Sequence, residues 1–138
     1  MKRILLTILT ITLCLVVLSG CSQNKIYKIS EITDIKDEYP ETITVTFTDE
    51  YQGTCVITDS DIIINIVDLL NAREYKFTKE SPAPGTSRSL TLTYETGETI
   101  KISTRIISKD GGYYIPSNDS IDEIVQEYGI ESGDVSPR

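Results

Sequence analysis

The sequence contains no histidine and no tryptophan, and it has only three cysteines among its 138 residues. Histidine is the commonest general base near neutral pH and the commonest metal ligand, and it activates the nucleophile in Ser-His and Cys-His enzymes. Its absence excludes those catalytic pairs and disfavours zinc and haem sites. We therefore predict no cofactor, no metal and no enzymatic activity.

An apolar run near the N-terminus carries the clearest signal in the sequence. Lys2 and Arg3 precede a largely apolar run at 4–18, which is followed by the small residues Ser19 and Gly20. A membrane-spanning helix needs ~20 apolar residues, because it rises ~1.5 Å per residue through a ~30 Å hydrocarbon core. The run is too short for a permanent span, and we predict a signal peptide at 1–20.

The residues that end this run, Leu18-Ser19-Gly20-Cys21, resemble the lipobox of bacterial lipoproteins. In that family the cysteine receives a diacylglyceryl group and a signal peptidase cuts directly before it. The resemblance implies a lipidated Cys21, a short linker at 21–25, and a position on the extracytoplasmic face of the cell membrane. The alternatives are an ordinary secretion signal cut at the same place and an uncleaved anchor.

Cysteine usage follows from this assignment. Cys14 would leave with the signal peptide and Cys21 would carry lipid, so Cys55 would have no partner for a disulfide. No basic residue adjoins Cys55 to stabilise a thiolate, and it lies in a strand-like run. We predict that Cys55 is a small buried hydrophobic residue and that packing stabilises the domain.

Acidic residues outnumber basic ones by 21 to 13, which gives a formal net charge of −8. Loss of residues 1–20 would remove Lys2 and Arg3 and change this charge to −10. Nucleic-acid binding needs clustered Lys and Arg, and the sequence has no such cluster. We expect no nucleic-acid partner, and we expect repulsion from an anionic membrane except near Lys25 and Lys28.

Alternation of apolar and polar residues predicts half-buried strands. The clearest is 42–48, where three apolar residues alternate with four threonines. Segments 89–95 and 98–108 alternate on either side of a turn, which predicts a hairpin. Shorter strands are predicted at 54–58, 74–78 and 113–115, whereas 26–35 fits neither a strand nor a helix cleanly.

Two segments show the helical period instead, 59–72 and 120–129. Asp59 or Ser60 can cap the first helix. Ser120 and Glu123 fit a capping box for the second, and Gly129 is placed to end it. The carboxylates at both helix starts are better explained by capping than by calcium binding, because the remaining positions of a calcium loop are missing.

These elements predict an α+β domain at 26–130, with a mostly antiparallel sheet of five to seven strands and two amphipathic helices packed on one face. Residues 131–138 are predicted to form a flexible tail. In overall pattern the chain is similar to small single-domain lipoproteins of Gram-positive-type bacteria, whose domains are uncharacterised. That similarity rests on no motif beyond the lipobox and implies location alone.

Tyrosines are the candidate binding residues. Tyr39, Tyr51, Tyr113 and Tyr114 lie beside predicted turns, where rigid amphipathic rings often form recognition surfaces. They could instead close the ends of the core, and alternation directs only one of Tyr113 and Tyr114 inward. The loop at 79–88, which contains two prolines and a glycine, is a further candidate.

The leading hypothesis is a lipid-anchored, non-enzymatic module that binds a protein or peptide in the cell envelope, through a sheet edge or the tyrosine-bearing turns. A close alternative is an immunity or inhibitor lipoprotein that sequesters a cationic peptide, since an acidic domain attracts one. An alternative of another class is a small hydrolase with two catalytic carboxylates, which needs no histidine.

Overall fold

The computed structural model describes residues 25–48, 50–83 and 88–138. The predicted signal peptide, Cys21 and the linker up to residue 24 lie outside the described residues, as does part of the loop predicted at 79–88. Within the described ranges, no helix has both the length and the hydrophobicity needed to span a bilayer.

Three helices and nine strands make up the described part of the chain. The helices are α1 (Ile29–Ile32), α2 (Ser60–Ala72) and α3 (Ser120–Ser132). The strands are β1 (Ile26–Tyr27), β2 (Thr42–Thr48), β3 (Tyr51–Ile57), β4 (Tyr75–Thr78), β5 (Arg88–Thr93), β6 (Thr99–Ser103), β7 (Ile107–Lys109), β8 (Gly112–Pro116) and β9 (Val135–Pro137).

All strand pairs are antiparallel, and they build two sheets. The large sheet has the order β6-β5-β2-β3-β9, and the small sheet has the order β1-β4-β8-β7. This arrangement confirms the predicted α+β class with antiparallel strands. It differs from the expected single sheet of five to seven strands, because the strands of the described ranges divide between the two sheets.

The division arises inside 98–108, which the sequence predicts as one strand. Thr104 interrupts it: its N–H donates to the carbonyl of Arg88 at 2.9 Å, and its own carbonyl accepts a hydrogen bond from Nη1 of Arg73 at 2.5 Å. Thr104 is completely buried, so both main-chain groups need such partners. The chain therefore leaves the large sheet after β6 and enters the small sheet at β7.

One hydrophobic core joins the helices to the sheets. Ile43, Val45 and Phe47 of β2 are buried, as the alternation predicts, and Cys55 lies opposite Val45 on β3. Burial of one such side chain contributes ~1.5–3 kcal/mol. Burial also raises the pKa of the Cys55 thiol, and this buried position confirms the prediction from sequence. The core members that lie on the two long helices are Ile63, Ile66, Val67, Leu70, Ile121 and Val125.

The first long helix begins as predicted and the second does not. Oδ1 of Asp59 accepts hydrogen bonds from the N–H groups of Asp61 and Ile62 at 2.9 and 3.3 Å, which caps α2. At α3 the predicted capping box is wrong, because the Ser120 hydroxyl donates to Oδ1 of Asn118 at 2.8 Å. The N-cap residue of α3 makes no side-chain cap bond.

Gly129 does not end α3, which continues to Ser132. The C-cap residue is Gly133, whose φ of 76° is in the left-handed region that favours glycine. Gly129 serves close packing instead: a Cβ there would lie 2.9 Å from Cγ2 of Val135 and 3.1 Å from Cζ of Phe47.

The structure also corrects the expectation of a flexible tail at 131–138. The helix occupies the first part of this segment, and β9 then pairs antiparallel with β3, with Gly53 opposite Val135. Val135 is buried, and the N–H of Arg138 donates to the carbonyl of Glu50 at 2.9 Å. A three-residue strand is too short to show a period in the sequence, which explains why alternation does not predict it.

Candidate functional site: a groove between two sheet edges

The end of each sheet forms one wall of a groove. β6 is the edge strand of the large sheet and β7 is the edge strand of the small sheet, among the described residues. A groove of about 460 Å³ lies between them, lined by 32–34, 98–101 and 107–109. Because only the short link at 104–106 joins the two strands, the two edges stay side by side.

Part of the main chain of β6 directs hydrogen-bonding groups away from the neighbouring strand β5. At the hairpin, the N–H of Tyr94 donates to the carbonyl of Glu98 at 3.0 Å, so Glu98 faces β5. Hydrogen-bonded pairs alternate along an antiparallel ladder, so Thr99 and Lys101 turn their N–H and C=O groups to the open side. In the described ranges no other strand pairs with this side of β6.

The main chain of β7 shows the same feature on the opposite wall. Asp110 and Gly111 have φ values of 56° and 73°, which is typical of a two-residue type I′ hairpin turn. The turn makes Lys109 and Gly112 a hydrogen-bonded pair. The next residue of β7, Ser108, therefore directs its main-chain groups away from β8 and into the groove. Within the described ranges, both walls therefore present backbone groups that no strand pairs with, which is a template for an added strand.

Apolar side chains form part of the lining. Ile32 of α1 is buried beneath the groove, and Ile100 and Ile107 are partly buried against the core. In an extended peptide every second side chain points to the same face. The groove thus offers an apolar contact for alternate residues of a bound segment.

Charged groups border the groove and hold its walls in place. Nζ of Lys109 donates to the carbonyl of Ile32 at 2.7 Å, which ties β7 to α1. Lys36 forms an ion pair of 2.5 Å with Glu98, and the hydrogen bond that Lys36 donates to the Glu98 carboxylate is the main cause that raises the pKa of Lys36. Asp34 and Lys101 are exposed in the lining, where their charges can reach a ligand.

The structure does not bring the four candidate tyrosines together. Tyr39 is 51 % exposed and donates a hydrogen bond to Oδ1 of Asp68 at 2.9 Å. Tyr51 lies on β3, opposite Pro137 of β9. Tyr113 is half-buried on the small sheet, and none of the three lines the groove.

Tyr114 belongs to the core. Its ring centroid lies 5.1 Å from those of both Tyr27 and Phe77, and the side chain is buried. Alternation on β8 directs Tyr114 inward and Tyr113 outward, so only Tyr113 of this pair can contact a ligand. The sequence reduced the choice to one of the two, and the pairing of β8 with β4 decides it.

Carboxylates at the start of α3 are engaged with arginines. Nη1 and Nη2 of the buried Arg88 donate to the carbonyl of Asp122 and to Oε1 of Gln126, both at 2.7 Å. Arg105 lies 3.5 Å from Asp119 and 3.9 Å from Asp122. The sequence missed this network, since an arginine at a strand end gives no pattern. Among the described residues, no group of three His, Cys, Asp or Glu side chains could hold a metal ion.

The sequence predicts the groove residues at 98–101, 107 and 108 only as strand residues and leaves 32–34 without a clear assignment. One signal was present: Ile106 and Ile107 are adjacent, which breaks the alternation that runs through Ile100 and Ile102. The buried positions change from even to odd numbers at this doublet, where the chain passes from one sheet to the other.

Comparisons of the chain with protein-family models, with curated proteins and with solved structures found no match.

Proposed function

We propose that the chain is a lipid-anchored protein of the bacterial cell envelope that binds an extended peptide segment, from a peptide or a protein, in the groove between β6 and β7. The lipobox resemblance at Leu18-Ser19-Gly20-Cys21 supports the anchor and the extracytoplasmic location. The outward main-chain groups of Thr99 and Lys101 are the observation that carries the binding function.

Binding adds one strand to the large sheet. The N–H and C=O groups of Thr99 and Lys101 form hydrogen bonds with the peptide, and each contributes ~0.5–1.5 kcal/mol net. Alternate side chains of the peptide rest on Ile100 and Ile107, which gives preference for apolar residues at every second position. The mechanism requires no catalytic group, in keeping with a non-enzymatic module.

The position of Lys101 favours a partner other than a second copy of the chain. Two β6 strands paired about a two-fold axis at the strand centre would place Lys101 opposite Lys101. Like charges directly opposite each other destabilise a strand pair, and an edge lysine is a common device against self-association. A different chain that offers an acidic or neutral residue at this point meets no such repulsion.

The charge of the protein favours a cationic peptide as one class of partner. A formal net charge of −8 attracts basic peptides over distance and raises their association rate. Sequestration of a toxic cationic peptide, as by an immunity or inhibitor lipoprotein, uses the same groove. The carboxylate hydrolase has less support, because Asp119 and Asp122 of the clearest described carboxylate cluster are paired with arginine.

A matched pair of substitutions at one residue tests the groove. Lys101→Pro removes the outward N–H and leaves the bonds to β5, because proline is tolerated on the open side of an edge strand. Lys101→Ala removes the side-chain charge and keeps the N–H. Peptides would first be selected from a random library with the purified full-length protein, and their affinities measured by calorimetry.

We expect Lys101→Pro to weaken binding of the selected peptides about tenfold or more, through the lost hydrogen bond and the misfit of the ring. We expect Lys101→Ala to change it far less for neutral peptides. Equal affinities for the wild type and Lys101→Pro would contradict binding at β6, and so would a library that yields no binder.

A further inference from the structure

The outer face of the small sheet is defined by its register. Tyr27, Tyr75 and Tyr114 point into the core, so their neighbours along each strand point outward. One outward row runs Ile26–Lys76–Ile115 across three strands, since Ile26 lies opposite Lys76 and Lys76 lies opposite Ile115. The next outward row contains Thr78, Tyr113 and Ser108.

Two exposed isoleucines make this face unusual. Ile26 is 47 % exposed and Ile115 is 36 % exposed, although both lie in strands of an ordered sheet. The other large exposed hydrophobic residues of the described ranges are dispersed, one each on a loop, on β3, on α2 and on α3. Only on the small sheet do two of them flank the same residue, Lys76.

The same face lies where the chain leaves the predicted lipid anchor. Ile26 follows Cys21 by five residues, and a chain of that length spans at most ~18 Å when fully extended. An anchor at Cys21 therefore keeps β1 within that distance of the bilayer surface. This step rests on the lipidated Cys21 of the proposed function.

Basic residues collect around β1, in contrast to the acidic chain as a whole. Lys76 stands between the two isoleucines, and Lys25 and Lys28 flank β1. Two acidic residues contact Lys28. Glu74 lies 3.8 Å from its Nζ, and the Glu31 carboxylate accepts a hydrogen bond from its main-chain N–H. Lysines beside exposed apolar residues are typical of surfaces that contact anionic lipid.

We propose that the outer face of the small sheet docks on the anionic phospholipid surface that holds the anchor. Ile26 and Ile115 insert among the headgroups, Lys76 binds lipid phosphates between them, and Tyr113 lies at the headgroup level, where tyrosine is favoured. The contact limits rotation of the domain about its short linker, so the domain has one preferred orientation on the bilayer.

The absence of tryptophan from the chain permits a clean test. Tyr113→Trp places a single fluorescent reporter on the docking face, and Tyr39→Trp places one on an exposed loop residue that contacts α2 instead. Each full-length lipidated variant is reconstituted in vesicles of phosphatidylglycerol and phosphatidylcholine, with and without brominated acyl chains that quench nearby indole rings. The intact mass of each purified variant is recorded beforehand.

We expect bromine to remove about half of the emission of the Tyr113→Trp reporter, because rings at the headgroup level lie close to the acyl chains. The Tyr39→Trp reporter should lose little. Adding Ile26→Ser and Ile115→Ser should lower the quenching of the Tyr113→Trp reporter to the level of the Tyr39→Trp reporter. The control pair Val56→Ser and Ile64→Ser, which changes two exposed residues elsewhere, should leave the quenching of the Tyr113→Trp reporter unchanged.

Three results would overturn the docking proposal. The first is equal quenching of the two reporters in lipidated protein. The second is a blue shift of the Tyr113→Trp reporter without bromine quenching that grows with protein density, which indicates that a second copy covers the face. The third is an intact mass without lipid, which also refutes the anchor. If the intact mass shows the lipid and the protein binds peptide normally but the reporters show no docking, the docking proposal alone is refuted.

Discussion

Arg73 donates a hydrogen bond to the main-chain carbonyl of Thr104, and this contact is buried between the two sheets. Arg73 is only 2 % exposed, and its Nε and Nη2 atoms have no hydrogen-bond partner among the described residues. Thr104 is the point where the chain leaves β6 for β7. The geometry of the groove therefore depends on an arginine that lies outside it.

We expect Arg73→Ala to lower the free energy of unfolding by ~2–4 kcal/mol, because it leaves the buried carbonyl of Thr104 without a donor and removes packed methylenes. Urea denaturation followed by circular dichroism measures this change. Arg138→Ala, at an exposed position on the C-terminal side of β9, is the control and should change stability by less than ~0.5 kcal/mol. A loss for Arg73→Ala no larger than that of the control would contradict the role assigned to the contact.

Tyr75 predicts a loss of stability in alkaline solution. Its hydroxyl is buried and has no hydrogen-bond partner among the described residues, and burial raises its pKa above the ordinary 10.0 although Arg73 acts in the opposite direction. Above pH 10 the unfolded chain loses this proton while the native protein retains it, so the free energy of unfolding falls as the pH rises. Burial raises the pKa of the Cys55 thiol above 9.0 as well, so Cys55 begins to lower the free energy of unfolding at a lower pH than Tyr75 does.

Tyr75→Phe isolates the contribution of Tyr75 to this loss of stability. We expect it to leave stability at pH 7 nearly unchanged, since it removes a hydroxyl that has no hydrogen-bond partner in the described part of the chain, and to reduce the slope of stability against pH above 10. Urea midpoints measured from pH 7 to 11 for wild type and variant give both quantities. A variant with the wild-type slope would show that Tyr75 does not titrate differently on unfolding.

Gly129→Ala should destabilise the protein although alanine is the better helix former. In an open helix this substitution gains ~1 kcal/mol, whereas here the new Cβ meets Val135 and Phe47 at distances that force them apart. Overpacking of this kind costs ~1–3 kcal/mol, so we expect a net loss of stability in thermal or urea unfolding. A gain of stability would place Gly129 at a loose contact and contradict the packing of α3 on β9.

The C-terminal strand makes a further prediction that a flexible tail would not. Val135→Ala should lower the free energy of unfolding by ~1–2 kcal/mol, because a buried valine loses two methyl groups and leaves a cavity. It should also speed hydrogen exchange of the β3 amides that pair with β9. Ser136→Ala, exposed on the same strand, serves as the control and should leave both quantities unchanged.

Local pattern in the sequence was enough to predict β2 and α2. Ile43, Val45 and Phe47 alternate without interruption, and Asp59 is followed by a full helical stripe, so each element is specified within its own segment. The capping role of Asp59 needs only its immediate neighbours. Predictions of this kind succeed because the deciding contacts are local.

The division into two sheets could not be read in this way. It depends on Arg73, which supplies a hydrogen bond 31 residues ahead in the chain, and no period in 98–108 records that contact. The groove has the same origin, since Ile100 and Ile107 belong to different sheets. Only the doublet Ile106-Ile107 marks the change in which alternate residues are buried. The tertiary structure is needed to interpret it as a change of sheet.

Hydrogen exchange at single amides tests the central claim most directly. The N–H groups of Thr99 and Lys101 point to the open edge of β6 in the free protein, so they should exchange fast. When a selected peptide saturates the groove, a new strand covers them, and we expect their exchange measured by NMR to slow at least about tenfold relative to that of the other exposed amides. Unchanged exchange at both residues with peptide bound would show that the peptide binds elsewhere.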